Sequence, residues 1–242
     1  MRLGATMSIV GFSAGGLISA FFSYKYLLVF DGVMYIGSTI VLLKVHWVEH
    51  TKSIQPVKKK QTVRNALQSG RYTFLLMVGF VYPLAASAYQ YALPLIASVK
   101  EHGDLYNGFM WSTIACGSFI CSLIIKKHVV NEWRYLVSIL LFATFVSLTF
   151  IYDLTPVTFL ILILVGATEA LVQVCHYTLL QRSDENIRGR LFGLNTLVTR
   201  CGFLAGFGFI PLLAKMTSLW DLVDAGLAGD LLCCLYVAKL LF

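Results

Sequence analysis

Glu169 and Arg200 each fall inside a long apolar run of this chain. A full charge at the centre of a membrane helix costs roughly 2.5–3.5 kcal/mol on insertion scales, so each demands a partner or water. Glu169 lies about midway along the run 157–180. Arg200 lies about ten residues into the run 191–214, or ~15 Å deep at a helical rise of about 1.5 Å per residue. The two runs are consecutive and antiparallel, so the depths match. The two side chains are expected to face the interior and to interact, directly or through water. Three chemistries stay open: a structural ion pair that aids helix association, a carboxylate that couples protons, or separate roles for each residue. Gly166, Glu169, Gln173 and His176 follow i, i+3, i+7 and i+10 spacing and share one helical face. A carboxylate and an imidazole at different depths could pass protons between them. The alternative for His176 is a position at the membrane interface.

A second polar face lies on the run 72–97. Tyr82, Ala86, Tyr89 and Gln90 fall together there, with Pro83 and Pro94 nearby. Two prolines predict a bend or break whose freed backbone groups need neighbouring helices or cavity water. Tyr82, Tyr89 and Gln90 could line a cavity for an amphipathic solute, or form an aromatic packing face. In the run 191–214, Asn195, Thr199, Gly202 and Gly206 make a small, weakly polar stripe that close helix packing explains. The six cysteines all fall in apolar runs, without a CxxC pair or a histidine at ligand spacing, so buried free thiols are expected rather than disulfides or a metal site. No GxxxxGK[ST], HExxH or GxSxG pattern occurs. ATP hydrolysis, metalloprotease chemistry and a bound cofactor are therefore not expected, and the chain is not read as an enzyme. An intramembrane hydrolase built on Glu169 and His176 would lack a motif-level partner.

Eight apolar stretches must position these residues: about 3–22, 27–46, 72–97, 106–125, 134–152, 157–180, 191–214 and 222–241. A bilayer core about 30 Å thick needs roughly 20 helical residues, which each supplies. With 58% hydrophobic and 13% charged residues, the chain lacks the polar surface of a soluble domain this size. The expected fold is an all-α polytopic bundle with membrane lipids around it. The last stretch is the least regular, because Asp224 and Asp230 interrupt it and Asp230 would lie within the membrane. After Arg2 the chain continues as Gly-rich helix-packing sequence, without the pattern of a cleavable leader.

Loop charge orients the bundle. With the N-terminus in the cytoplasm, the cytoplasmic side receives Arg2, the 44–71 connection, the 126–134 and 182–190 loops and Lys239. These hold fifteen of the nineteen Lys and Arg residues. The other side receives Lys25, Lys100 and Lys215, a clear positive-inside bias that also returns the C-terminus to the cytoplasm. The net charge of +7 thus needs no nucleic-acid partner. Lys58, Lys59 and Lys60 set topology or touch anionic head groups.

Gly11-Phe12-Ser13-Ala14-Gly15-Gly16 in the first stretch echoes Gly202-Phe203-Leu204-Ala205-Gly206-Phe207 in the seventh, 191 residues on. Both copies start from the same side, as in transporters built from two parallel halves. Here the chain resembles the major facilitator superfamily, as the fifth to twelfth of its twelve spans. Gly11, Gly15 and Gly16 resemble the antiporter signature gxxxGPxxGG of the fifth span in drug/proton antiporters. Phe12 stands where proline is usual, and Met7 where the first glycine is usual. The 44–71 stretch resembles the connection between the halves. Asn186-Ile187-Arg188-Gly189-Arg190-Leu191-Phe192-Gly193 resembles the loop before the eleventh span in the multidrug, macrolide and siderophore exporter branch. Tyr106-Asn107-Gly108, with Gly117 and Ser118, resembles that branch's eighth span.

The resemblance implies residues 1–47 as the last two spans of an N-terminal half, 48–70 as a cytoplasmic basic linker and 71–242 as a six-span C-terminal half. It implies a secondary active transporter in a bacterial cell membrane, a fragment or truncated form, exporting a drug-like or siderophore-like organic solute by proton antiport. Glu169, Arg200, His176 and Gln173 are the intramembrane polar candidates, and Tyr82, Tyr89 and Gln90 the cavity candidates. Arg188, Gly189 and Arg190 form the cytoplasmic loop motif. About four preceding spans would be required for function. The alternative is an accessory or receptor-like membrane protein, or an inactive truncated transporter.

Overall fold

The computed structural model describes residues 7–12, 14, 15, 18, 24–44, 70–100, 102–125, 130–151 and 155–213. The 48–70 linker up to residue 69, Gly16, and the stretch 222–241 with Asp224 and Asp230 lie outside the described residues. The described residues are helical or in short turns, with no strand among them. Residues 7–12 are helical, followed by α1 (Tyr24–Lys44), α2 (Arg71–Ser98), α3 (Gly103–Ile124), α4 (Glu132–Ile151), α5 (Pro156–Gln181) and α6 (Glu185–Leu213). Among the described residues, five helices, α2 to α6, are long and apolar enough to cross a membrane. Even the shortest of them, α4 with 20 residues, reaches about 30 Å, the thickness of a bilayer core.

Local chemistry sets the helix ends. Asn131 opens α4: its side-chain Oδ1 accepts the backbone N–H of Glu132 at 2.7 Å. Its carbonyl accepts the N–H of Tyr135 at 3.1 Å. Thr155 and Thr158 form a reciprocal capping box at the start of α5, and Pro156 sits in the first turn, where its missing N–H costs nothing. The α2–α3 turn is tight. His102 is left-handed (φ 62°), and a Cβ on Gly103 would lie 2.7 Å from the carbonyl oxygen of Ala97, so only glycine lets the two backbones approach this closely.

Three helix pairs hold the bundle: α2 on α6, α3 on α5 and α4 on α5. In lipid, burial of apolar surface drives little association, and close backbone contact through small residues replaces it. On α3 and α5 two glycines meet reciprocally. A Cβ on Gly166 would overlap the carbonyl of Ile114, and one on Gly117 would overlap that of Ile163. The hydroxyl of Ser118 donates to the carbonyl of Gly166 at 2.9 Å across the same crossing. On α2 and α6, Gly202 lies against the backbone of Phe80, and Gly206 against Ser87 and Leu84. The stripe Asn195, Thr199, Gly202, Gly206 is thus a packing face, as its residue types predict. The core fills with Leu75, Leu93, Tyr135, Phe142, Leu162 and Leu179.

Of the expected bend or break in α2, no break occurs. The helix runs unbroken from Arg71 to Ser98 with Pro83 and Pro94 inside it. Pro83 is buried against neighbouring helices, and Pro94 falls in the last turns, where fewer backbone bonds depend on it. α1 presents its described side chains outward on all sides, Leu43 at 80% and Tyr26 at 72% exposure. Such a helix is suited to lipid or to other apolar helices rather than to this bundle.

A candidate transport site along α5

α5 is the central helix, with α3 on one side and α4 on the other. Its polar residues divide between two environments. Glu169 and Gln173 line a cavity of about 380 Å³ between the N-terminal helical segment, α3 and α5. Phe12 and Trp111 form its aromatic wall, with ring centroids 5.8 Å apart. Ser8, Ser118 and Ser122 add hydroxyls. Glu169 is half-buried and Gln173 exposed toward this space. Glu169 is also the full charge among the cavity's lining residues.

Tyr89 of α2 approaches the same carboxylate. The residue is 3% exposed, and its hydroxyl lies near Glu169 and Gln90 without a hydrogen bond of standard geometry. The polar side chains that act on it are those of Glu169 and Gln90. Its ring packs against Trp111 and Phe142, at 6.2 and 5.6 Å between centroids. Tyr82 packs on Phe142 at 5.3 Å. The aromatic packing face therefore exists, and it delivers one buried phenol toward Glu169. A buried hydroxyl is costly unless it finds a partner, and Glu169 and Gln90 are the polar side chains beside it.

His176 lies elsewhere. It is buried, five residues before the end of α5 at Gln181, and joins three helices. Its Nε2 lies 2.9 Å from Oδ1 of Asn195 on α6, and its Nδ1 lies 2.8 Å from the Tyr135 hydroxyl on α4. An amide oxygen only accepts, so Nε2 carries the proton and Nδ1 accepts from Tyr135. Gly79 of α2 gives this cluster room, since a Cβ there would sit 2.9 Å from Asn195 Oδ1. With both ring nitrogens engaged, His176 is held away from the Glu169 cavity.

Arg200 corrects the expected pair. Among the described residues no ion pair joins it to Glu169, and it is exposed on α6. The cause is neighbour choice: α6 packs on α2 through Gly202 and Gly206, and touches α5 only sparsely. Equal depth therefore does not bring the charges together. The Arg188-Gly189-Arg190 motif is also relocated. It lies in the first turns of α6 rather than in a loop, because Asp184 starts the helix by accepting the N–H groups of Ile187 and Arg188 at 3.1 and 3.0 Å. Arg188 Nη2 donates back to the carbonyl of Ser183 at 3.0 Å. A Cβ on Gly11 or Gly15 would meet nothing within 4 Å, so the described bundle leaves that face of the first stretch open.

Sequence reasoning missed Trp111, Phe12 and Ser8 on the cavity wall, and Tyr135 as a partner of His176. A tryptophan deep in an apolar helix was the available signal for Trp111. Tyr135, at the start of its span, carried none.

Five spanning helices around buried polar groups define an integral membrane protein. Residues 3–226 match the Major Facilitator Superfamily, and the chain belongs to this family of membrane transporters. No curated protein sequence matches it.

Proposed function

We infer that the chain works in secondary active export of a drug-like or siderophore-like organic solute, driven by proton entry. Glu169 is the proton-coupling carboxylate in this reading, and the cavity beside it receives the solute. One observation carries the reading: a midspan carboxylate lines a cavity of about 380 Å³, with the buried Tyr89 hydroxyl beside it. The cavity size falls within the range of small-molecule sites, which run from about 300 to 1,000 Å³. Its aromatic wall suits a flat apolar body, and Gln173 with three serines suits polar substituents.

Protonation of Glu169 removes a charge that lipid and apolar walls oppose. Differential affinity for proton and solute in two states of the bundle then drives alternation. Gln90 holds the Tyr89 side of the site, and Arg200 acts separately from Glu169, toward a polar region beyond the described bundle, since a mid-helix charge is not stable against lipid. Alternation needs a second bundle rocking against this one, so residues 1–242 alone are proposed not to perform coupled transport.

The test is pH-gradient-driven solute flux in inverted vesicles, from chain supplied with its N-terminal spans. Glu169→Gln should abolish gradient-driven flux while solute binding persists. Wild-type flux in that variant would refute proton coupling at Glu169. Coupled flux from proteoliposomes holding residues 1–242 alone would refute the need for a second bundle.

A further inference from the structure

A second cavity lies on the opposite side of α5 from Glu169. It has a volume of about 290 Å³ and opens between the end of α3, the start of α4 and the last turns of α5. Its α5 wall is Leu171 and Cys175, one turn apart. At about 100° per residue, these sit some 120–160° around the helix from Glu169, so the two cavities do not merge. The floor is polar but buried: Ser138 is 4% exposed and Cys175 3%. The walls are apolar, with Ile124, at 74% exposure, and Ile125 at the side of the mouth.

The charge is at the mouth. Arg134 lines the cavity from the first turn of α4 and is exposed. A second guanidinium, that of Arg182, donates through Nη2 to the carbonyl of Val130 at 2.9 Å, and Val130 is itself a wall residue. Cys175 lies six residues before the end of α5 at Gln181, or ~9 Å into the helix. The cavity thus runs from the level of the helix ends, where two cations, Ile124 and Ile125 sit, inward past Ser138 and Cys175 to Leu171, ten residues or ~15 Å from the end of α5. That is the depth profile of a phospholipid: charge at the interface, hydrocarbon below. Arginine suits this position because its stem lies along apolar surface while its fork binds phosphate oxygens in pairs.

We propose that this groove between α3, α4 and α5 is a binding site for one anionic phospholipid, its phosphate on Arg134 and Arg182 and an acyl chain between Ile124, Ile125 and Leu171. The occupant is a lipid rather than a soluble phosphate compound, because the cavity opens sideways past exposed Ile124 at the edge of a membrane-spanning bundle. The site does not depend on the Glu169 reading, since it lies on another face of α5.

Native mass spectrometry of the whole chain in detergent tests it, with phosphatidylglycerol and phosphatidylcholine added in turn. The expected result is one retained phosphatidylglycerol and weaker phosphatidylcholine. Arg134→Ala should lower phosphatidylglycerol occupancy about fivefold, the usual contribution of one basic residue at an anionic surface. Arg134→Lys keeps the charge but loses the paired fork and should recover only part of it. Leu171→Trp, which fills the groove and leaves the cations, should lower occupancy of both lipids. Lys100→Ala, at the other end of the bundle, should change nothing. Equal retention of the two lipids, or unchanged occupancy in both Arg134→Ala and Leu171→Trp, would overturn the proposal. Displacement of the lipid by millimolar inorganic phosphate would also overturn it, showing an anion site without a chain groove.

Discussion

His176 Nε2 on α5 donates to Asn195 Oδ1 on α6 at 2.9 Å, the polar link between two consecutive helices that otherwise barely touch. The same ring accepts from Tyr135 on α4 at 2.8 Å. One side chain therefore ties three helices, at a buried position within the bundle.

Asn195→Leu keeps size but leaves the His176 N–H buried without an acceptor. It should destabilise the purified protein by about 1–3 kcal/mol. A double-mutant cycle with His176→Phe should give a coupling of about 0.6–1.7 kcal/mol, the range of hydrogen bonds between membrane helices. Thermal or denaturant unfolding in detergent reads both. Strictly additive effects would show that the bond contributes nothing.

The glycines sort into two groups with opposite expected effects. Gly166→Val must push α3 from α5, because even a single methyl there meets the carbonyl of Ile114. Loss of folded protein, seen as aggregation in size-exclusion chromatography, is expected. Gly189→Ala and Gly208→Ala meet nothing within 4 Å and should leave folding intact, or raise helix stability by up to about 1 kcal/mol each. A tolerated Gly166→Val would contradict the close α3–α5 crossing.

Glu169 and Arg200 should behave as independent sites. Glu169→Gln and Arg200→Gln are expected to add within about 0.5 kcal/mol in stability, as distant substitutions do. Rescue of a Glu169→Arg variant by Arg200→Glu would show a pair that forms in another state of the bundle.

Charge sorting predicts that Ser53 faces the cytoplasm and Ser98 the outside. In a cysteine-free background, a membrane-impermeant thiol reagent applied to intact cells should label Ser98→Cys and spare Ser53→Cys. The reverse pattern would invert the topology.

The helices themselves were legible in the residues. α2, α3, α4 and α5 begin and end within about three residues of the apolar runs, because the length of such a run is a local property fixed by the bilayer. α6 begins at Glu185, six residues before its apolar run at 191. An acidic first turn suits a helix N-terminus but falls outside any hydropathy pattern. The depth of Glu169 and Arg200 was equally readable, since depth counts residues along one helix. Their separation was not. It depends on which helix α6 chooses, and that choice is made by Gly202 and Gly206 against Phe80, Leu84 and Ser87, residues more than a hundred positions away in the chain. The cavity beside Glu169 arises in the same manner. Phe12, Trp111 and Tyr89 come from three distant segments, and the packing of α3 on α5 through Gly117 and Gly166 brings Trp111, on which the other two rings pack, beside the carboxylate.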